Sequence, residues 1–169
     1  MLRIIGAVLT AVGGAWIGFG TAAALRRRGQ ALAEIADGLE LLALELERDA
    51  PALPRLMERT AAVSRGAARL LFRECAQALD GTSREPFALA WCRMIELRSE
   101  LGVEGQQALL PLGNVLGRCD SMEQQRELRS VAGRLRELAC RAEEDYRQQG
   151  RVYRTLGLSG GAFLVILLL

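Results

Sequence analysis

Both ends of the chain are free of charged side chains, whereas its middle is densely charged. Residues 4–25 and 155–169 hold no Asp, Glu, Lys or Arg, and every charged residue except Arg3 lies between them. As a helix, residues 4–25 would be ~33 Å long, enough to cross the hydrocarbon core of a bilayer. The distribution predicts a polar helical domain over residues 26–151, between membrane helices at 1–25 and 152–169.

The second apolar segment is the shorter of the two. Residues 155–169 cover only ~22 Å as a helix, but Tyr153 and Arg154 can sit at the membrane interface and lengthen the effective span. The alternative is a buried core helix at the C-terminus. Residues 163–169 are apolar on every side, which favours a membrane helix because a core helix at the surface of a domain keeps a polar face.

Basic residues stand at the inner end of each apolar segment, next to the polar domain. The residues expected to anchor the chain at the headgroups are Arg26, Arg27, Arg28, Arg151 and Arg154. The positive-inside rule therefore places the polar domain in the cytoplasm and both termini across the membrane. Gly14 and Gly18 have the small-x-x-x-small spacing of closely packed membrane helices, which could pair within one chain or between two.

A cleaved signal peptide is the alternative for the first segment. Arg3 would be its basic start and Ala22-x-Ala24 its cleavage site. The protein would then be an exported helical interaction module, tethered to the membrane only by its C-terminus. The arginines directly after the apolar segment favour an uncleaved anchor, because they hold that side in the cytoplasm.

The middle of the chain follows the apolar period of α-helices throughout. The clearest buried stripe is Leu32, Ile35, Ala36, Leu39, Leu42, Ala43 and Leu46. In the third helix the residues expected to face inward are Leu70, Leu71, Cys75 and Leu79. We expect six helices, over about 25–48, 54–63, 65–79, 84–101, 104–116 and 121–149. Short connections between them indicate an all-α antiparallel bundle, flanked by the two membrane helices.

The composition argues against most chemistry. Histidine is absent, which removes His-based catalysis and most zinc sites. The four cysteines are widely spaced, without a C-x-x-C pair, and each lies in or beside an apolar helical pattern. A net charge of +2 argues against a nucleic-acid partner. Without a phosphate loop or a carboxylate pair in an apolar pocket, we expect no enzyme, cofactor, metal or small-molecule substrate.

The turn before the last predicted helix holds the candidate partner-binding residues, Gly117, Asp120 and Gln124. Asp120 with Glu123, or Ser121 with Gln124, has the spacing of a capping box, which binds the free N–H groups at the start of a helix. Capping and direct partner binding are therefore competing interpretations of the same residues.

A dense group of charges near the end of that helix is a second candidate surface. Glu143, Glu144 and Asp145 stand between Arg141 and Arg147. The competing interpretation is a solvated helix face with i, i+4 pairs such as Glu143 with Arg147.

Five segments, in this order, carry a resemblance to a known family. They are Met1-Leu-x-Ile-x-Gly-Ala-Val-Leu to Gly18-Phe19, Ala50-Pro51-Ala52-Leu53-Pro54-Arg55-Leu56, Ala88-Leu89-Ala90-Trp91, Leu116-Gly117-Arg118-Cys119-Asp120 with Gln124, and Tyr153-x-x-Leu156-Gly157 through Leu169. Over nearly its whole length the chain resembles the stage III sporulation protein AB family of spore-forming bacteria. Ala52, Arg55 and Cys119 depart from that family's pattern.

The resemblance implies more than the residues do on their own. It implies a helical domain similar to the F-type platform domains of type II secretion and type IV pilus machines. It also implies a non-catalytic component of the channel apparatus between mother cell and forespore, in the mother-cell or outer forespore membrane. The implied partners are membrane lipid, the secretion-type ATPase stage III sporulation protein AA and other channel subunits, with self-association left open.

Overall fold

The structure is a computed structural model that describes the backbone of residues 2–49, 51–80 and 85–168 and the side chains of 23–48, 51–80 and 85–148. The α-helices in these ranges are α1 (Leu2–Asp49), α2 (Leu53–Val63), α3 (Gly66–Asp80), α4 (Phe87–Glu96), α5 (Gly102–Leu109), α6 (Leu112–Val115) and α7 (Ser121–Leu168). A short 3-10 helix, Ser99–Leu101, lies between α4 and α5. The described residues form no strand, which confirms the all-α prediction.

The long helices α1 and α7 pack against each other in antiparallel directions. Gly29 lies against Ala139 and Ala142, whereas Glu47, further along α1, accepts a hydrogen bond from Arg129 at 2.8 Å. Rising residue numbers in α1 therefore meet falling numbers in α7. The predicted stripe of α1 is buried in full, and the buried apolar residues among the described side chains of α7 are Leu128, Val131, Ala132, Leu135, Leu138, Ala139 and Ala142.

Ion pairs line the exposed edge of the α1–α7 pair. Arg136 of α7 donates to Asp37 at 2.9 Å and to Glu40, both on α1. The hydrogen bond to Glu40, and then the one to Asp37, raises the pKa of Arg136 above its ordinary value. Because these side chains are exposed, their pairs contribute little to stability, and apolar packing carries the association of the two helices.

The direction of the pair brings both chain ends to one end of the domain. The described side chains of α1 begin at residue 23, beside the place where those of α7 end at residue 148. The predicted membrane spans, with Gly14, Gly18, Arg151 and Arg154, lie outside the described side chains. Within the described side chains, no helix combines the length and the apolar character needed to cross a bilayer.

The α2–α3 hairpin covers one side of α1. Phe72 and Ala68 of α3 lie directly on Gly38 of α1, so the two backbones approach closely. Glu34 of α1 accepts a hydrogen bond from the backbone N–H of Ala67 at 2.7 Å. This carboxylate caps the first turn of α3, whose leading N–H groups have no partner within the helix.

One residue predicted for the core of α3 faces solvent instead. Leu71 and Cys75 are buried as expected, but Leu70 is 53% exposed. The buried stripe of α3 runs through Ala68, Leu71, Phe72, Cys75 and Ala76, and Leu70 falls beside it. The helical spacing of apolar residues alone did not show which of the two adjacent leucines is buried.

The predicted helix over 104–116 is divided into α5 and α6. Pro111 lacks an N–H and its ring crowds the preceding turn, so the helical hydrogen-bond pattern stops there. Trp91 of α4 is fully buried and donates from Nε1 to the carbonyl of Leu109 at 2.8 Å, next to this break. The described chain thus has seven α-helices. The prediction of six was wrong because the fifth predicted helix is divided in two.

The predicted helix over 84–101 is also shorter than expected. α4 ends at Glu96, and the chain tightens into the 3-10 helix. Gln106 of α5 donates from Nε2 to the carbonyls of Ile95 at 3.2 Å and of Glu96 and Arg98 at 3.1 Å. This amide supplies the Glu96 carbonyl, which receives no backbone N–H at the end of α4, and shares its two hydrogens with the neighbouring carbonyls of Ile95 and Arg98.

Replacing Gly38 by Ala should destabilise the domain. The new methyl group would lie 2.5 Å from Cε2 of Phe72 and 2.9 Å from Cβ of Ala68. Such overpacking costs about 1–3 kcal/mol, more than the gain in helix propensity. The measurement is the free energy of unfolding of the full chain in detergent, followed by circular dichroism.

Gly133→Ala is the matched control for that change. Gly133 lies on α7, and no other described residue comes within 4 Å of the place that its added methyl group would take. Ala should therefore be neutral there or stabilise by up to about 1 kcal/mol. Equal effects of the two substitutions would contradict the close approach of α3 to α1.

Candidate partner-docking site

The turn from Gly117 to Gln124 is held together by hydrogen bonds of the Gln124 side chain. Gly117 has φ of +77°, a conformation that favours glycine, and this reverses the chain after α6. The Gln124 amide donates to the carbonyl of Cys119 at 2.6 Å and accepts from the N–H of Gly117 at 3.5 Å. Gln124 is buried, so its polar groups depend on these bonds.

Asp120 differs from the other two predicted binding residues. It is exposed, and its carboxylate has no hydrogen-bond or ion-pair partner among the described residues. Neither predicted capping box forms within the described part of the chain. The Asp120 carboxylate caps no backbone N–H there, and the Gln124 side chain bonds to Gly117 and Cys119 and not to Ser121. The three candidates therefore lie together, but only Asp120 presents a free side chain to solvent.

Two segments that carry the family resemblance meet at this end of the domain. Leu53, the first residue of α2, has its Cδ2 3.3 Å from where a Cβ of Gly117 would be. Met122 stands nearby in the first turn of α7 and is 69% exposed. The sequence analysis did not single out Met122, although its place outside the apolar stripe of α7 was a signal that could have found it. We call Asp120, Met122 and the adjoining exposed Arg118 and Glu123 the turn surface.

The anchoring arginines within the described residues differ in exposure. Arg26 and Arg27 are exposed. Arg28 is half-buried, donates to Glu104 at 3.2 Å, and packs against Gly102 at the start of α5. Arg28 therefore joins α1 to α5, a contact that the sequence did not indicate.

The charged group near the end of α7 forms local pairs. Arg147 donates to Glu143, and Arg141 donates to Glu137, each at 2.6 Å and four residues apart. The predicted Glu143–Arg147 pair is confirmed. Pairs of this kind are typical of a solvated helix face.

The cysteines are free thiols in different surroundings. Cys140 is exposed, whereas Cys75 is fully buried. Burial raises the pKa of the Cys75 thiol to about 12, against the opposing effect of the Arg98 charge. Cys75 is therefore a protonated core residue at neutral pH. Within the described residues, His, Cys, Asp and Glu form no group suited to a metal ion.

In class, the described chain is an all-helical bundle built on two long antiparallel helices, with an exposed turn at one end. The family model of stage III sporulation protein AB matches residues 3–169, so the chain belongs to that family. The resemblance found in the sequence is thereby confirmed. The family implies a role in stage III of sporulation as a structural or assembly protein. No curated protein and no solved structure matches the chain.

Gln124→Ala should loosen the turn. The substitution removes the donor to the Cys119 carbonyl and leaves polar backbone groups without their partner, at a cost of about 1–3 kcal/mol in unfolding free energy. Glu123→Ala, at the exposed neighbouring position, should change it by less than about 0.5 kcal/mol. Denaturant unfolding of both full-length variants in detergent measures the difference, and equal effects would show that Gln124 does not hold the turn.

Cys75 should make stability fall at high pH. The folded thiol keeps its proton up to pH about 12, whereas an unfolded thiol loses it near pH 9, so unfolding is favoured as pH rises above 9. Between pH 8 and pH 10 the parent should lose about 1–2 kcal/mol that Cys75→Ala does not lose. The comparison uses the change with pH, because Cys75→Ala also leaves a cavity.

Cys140→Ala is the control for the pH experiment. Its thiol is exposed, so this variant should keep the parental loss of stability between pH 8 and pH 10. A Cys75→Ala variant with the same pH dependence as the parent would contradict the burial of the thiol.

Proposed function

We propose that the chain is a non-catalytic membrane platform of the secretion-like channel apparatus between mother cell and forespore. Residues 4–25 and 155–169 cross the mother-cell (outer forespore) membrane, and the helical bundle lies in the cytoplasm. There it docks the secretion-type ATPase, stage III sporulation protein AA, and other channel subunits. Membership of the stage III sporulation protein AB family supports the sporulation role.

The direction of α1 and α7 supports two membrane anchors. Both apolar segments continue from the same end of the pair, as they must if they enter one bilayer. Arg26, Arg27 and the half-buried Arg28 stand at that end, where positive charge is expected on the cytoplasmic side.

The position of the turn surface supports docking away from the membrane. Met122 is 20 residues from Ala142 along α7, or ~30 Å, and Ala142 lies at the level of Gly29 near the apolar ends. The single observation that carries the docking proposal is the exposed Asp120 at this far end, unpaired among the described residues. The absence of histidine, together with the protonated Cys75, supports a platform without catalysis.

Crosslinking in sporulating cells tests this proposal. A photoreactive amino acid replaces Asp120 in the full-length chain, and adducts are identified by mass spectrometry. We expect an adduct with the ATPase, because a crosslinker at this position reaches only what touches the turn surface.

Glu144 is the matched control position. It is also an exposed carboxylate, but it lies 22 residues from Met122 along α7, ~33 Å away near the apolar ends. We expect no ATPase adduct there. An ATPase adduct at Glu144 and none at Asp120 would move the docking surface to the other end of the bundle and overturn the assignment.

A further inference from the structure

Two large apolar side chains are exposed around the junction of α4 and α5: Leu97 directly follows α4, and Val103 is the second residue of α5. Leu97 is 78% exposed and Val103 is 68% exposed. Isolated apolar side chains at a surface are common, so their exposure alone carries no meaning. The position of Val103 relative to α1 gives its exposure a meaning.

Val103 is held beside Arg28 by the residues on both sides of it. A Cβ on Gly102 would lie 2.7 Å from Cζ of Arg28, and Gly102 has φ of +66°, so only glycine allows this approach without strain. Glu104 accepts a hydrogen bond from Arg28 at 3.2 Å. Next along α5, Gly105 lies against Leu32, one helical turn further along α1. The start of α5 is therefore level with Arg28.

Arg28 is close to the expected membrane surface. It lies three residues beyond Leu25 in the continuous helix α1, ~4.5 Å along its axis. Side chains of a helix lean towards its N-terminus, so the Arg28 guanidinium lies closer still. The headgroup layer on each side of a bilayer is about 5–7 Å thick, so Val103 falls within it if residues 4–25 span the membrane.

We propose that Val103 contacts the membrane surface and forms a third attachment of the bundle to the bilayer. The inference rests on the proposed membrane anchoring of α1. Val103 inserts at the boundary of headgroups and acyl chains, while the exposed Arg26 and Arg27 attract anionic headgroups at the same level. One side chain is too small an area for a stable second copy of the chain, which needs about 800 Å² per partner.

This contact would fix the tilt of the bundle. Two helices entering a bilayer side by side leave the domain free to rock about the line that joins them. Val103 lies off that line, on α5, and its contact with the surface would restrain the rocking. The turn surface at the far end would then be presented in one orientation.

Fluorescence quenching in vesicles tests the proposal on the full-length chain. An environment-sensitive fluorescent amino acid replaces Val103, or Met122 in a second variant. The vesicles contain phosphatidylglycerol and phosphatidylcholine, with the phosphatidylcholine chains brominated near the headgroup. Met122 is a matched control, because it is apolar and 69% exposed but lies at the opposite end of the bundle. Circular dichroism checks that both variants keep the parental helix content.

We expect the fluorophore at position 103 to be quenched and the one at position 122 to emit as it does in unbrominated vesicles. Flotation of the vesicles on a density gradient is measured in the same samples. Protein that floats but is unquenched at position 103, or is quenched equally at both positions, overturns the contact and leaves the anchoring intact. Protein that does not float overturns both the anchoring and the contact.

Discussion

The antiparallel packing of α1 on α7 is the contact on which the rest of the structure depends. Each helix contributes a full stripe of buried aliphatic residues, and burying one such side chain contributes about 1.5–3 kcal/mol. The exposed pairs of Arg136 with Asp37 and of Arg129 with Glu47 follow the register but add little energy. Because α1 and α7 are far apart in sequence, all the helices between them must be formed by the residues between 49 and 121.

The intervening elements are joined to this pair by polar side chains as well as by apolar contacts. Glu34 caps α3, and Arg28 binds the start of α5. Gln106 closes the end of α4, and Trp91 binds the carbonyl beside the Pro111 break. The bonds of Glu34, Gln106 and Trp91 supply partners to backbone groups at helix ends, where regular helical bonding runs out, whereas Arg28 pairs with the Glu104 side chain. The bundle can therefore use short helices that would be marginal on their own.

The sequence predicted the helices and most of the core, because a 3.6-residue apolar period is a local property. It placed every member of the α1 stripe correctly. It failed where a distant partner decides the outcome. The choice between Leu70 and Leu71 depends on where α2 and α1 lie, and the close contact at Gly38 depends on Phe72. The division at Pro111 was readable from the residue itself, since proline ends the hydrogen-bond pattern of a helix.

The candidate site shows the same limit in another form. Sequence reasoning grouped Gly117, Asp120 and Gln124, and the structure brings them together, but in different roles. Gly117 supplies the backbone reversal and Gln124 the buried bonds that keep it closed. A residue type that a family favours at such positions can therefore reflect the shape of the turn.

Recognition of a partner needs side chains that are free when the partner is absent. By that criterion the proposed docking contact would be made by Asp120 and by exposed neighbours such as Met122, whose identities the turn does not dictate. The two kinds of residue depend on each other, because a surface can select a partner only if its atoms are held in place. In the proposed docking, Gly117 and Gln124 would act through the position that they give Asp120. Substitution of Gly117 or Gln124 should therefore lower the stability of the fold as well as docking. Substitution of Asp120 should lower docking alone.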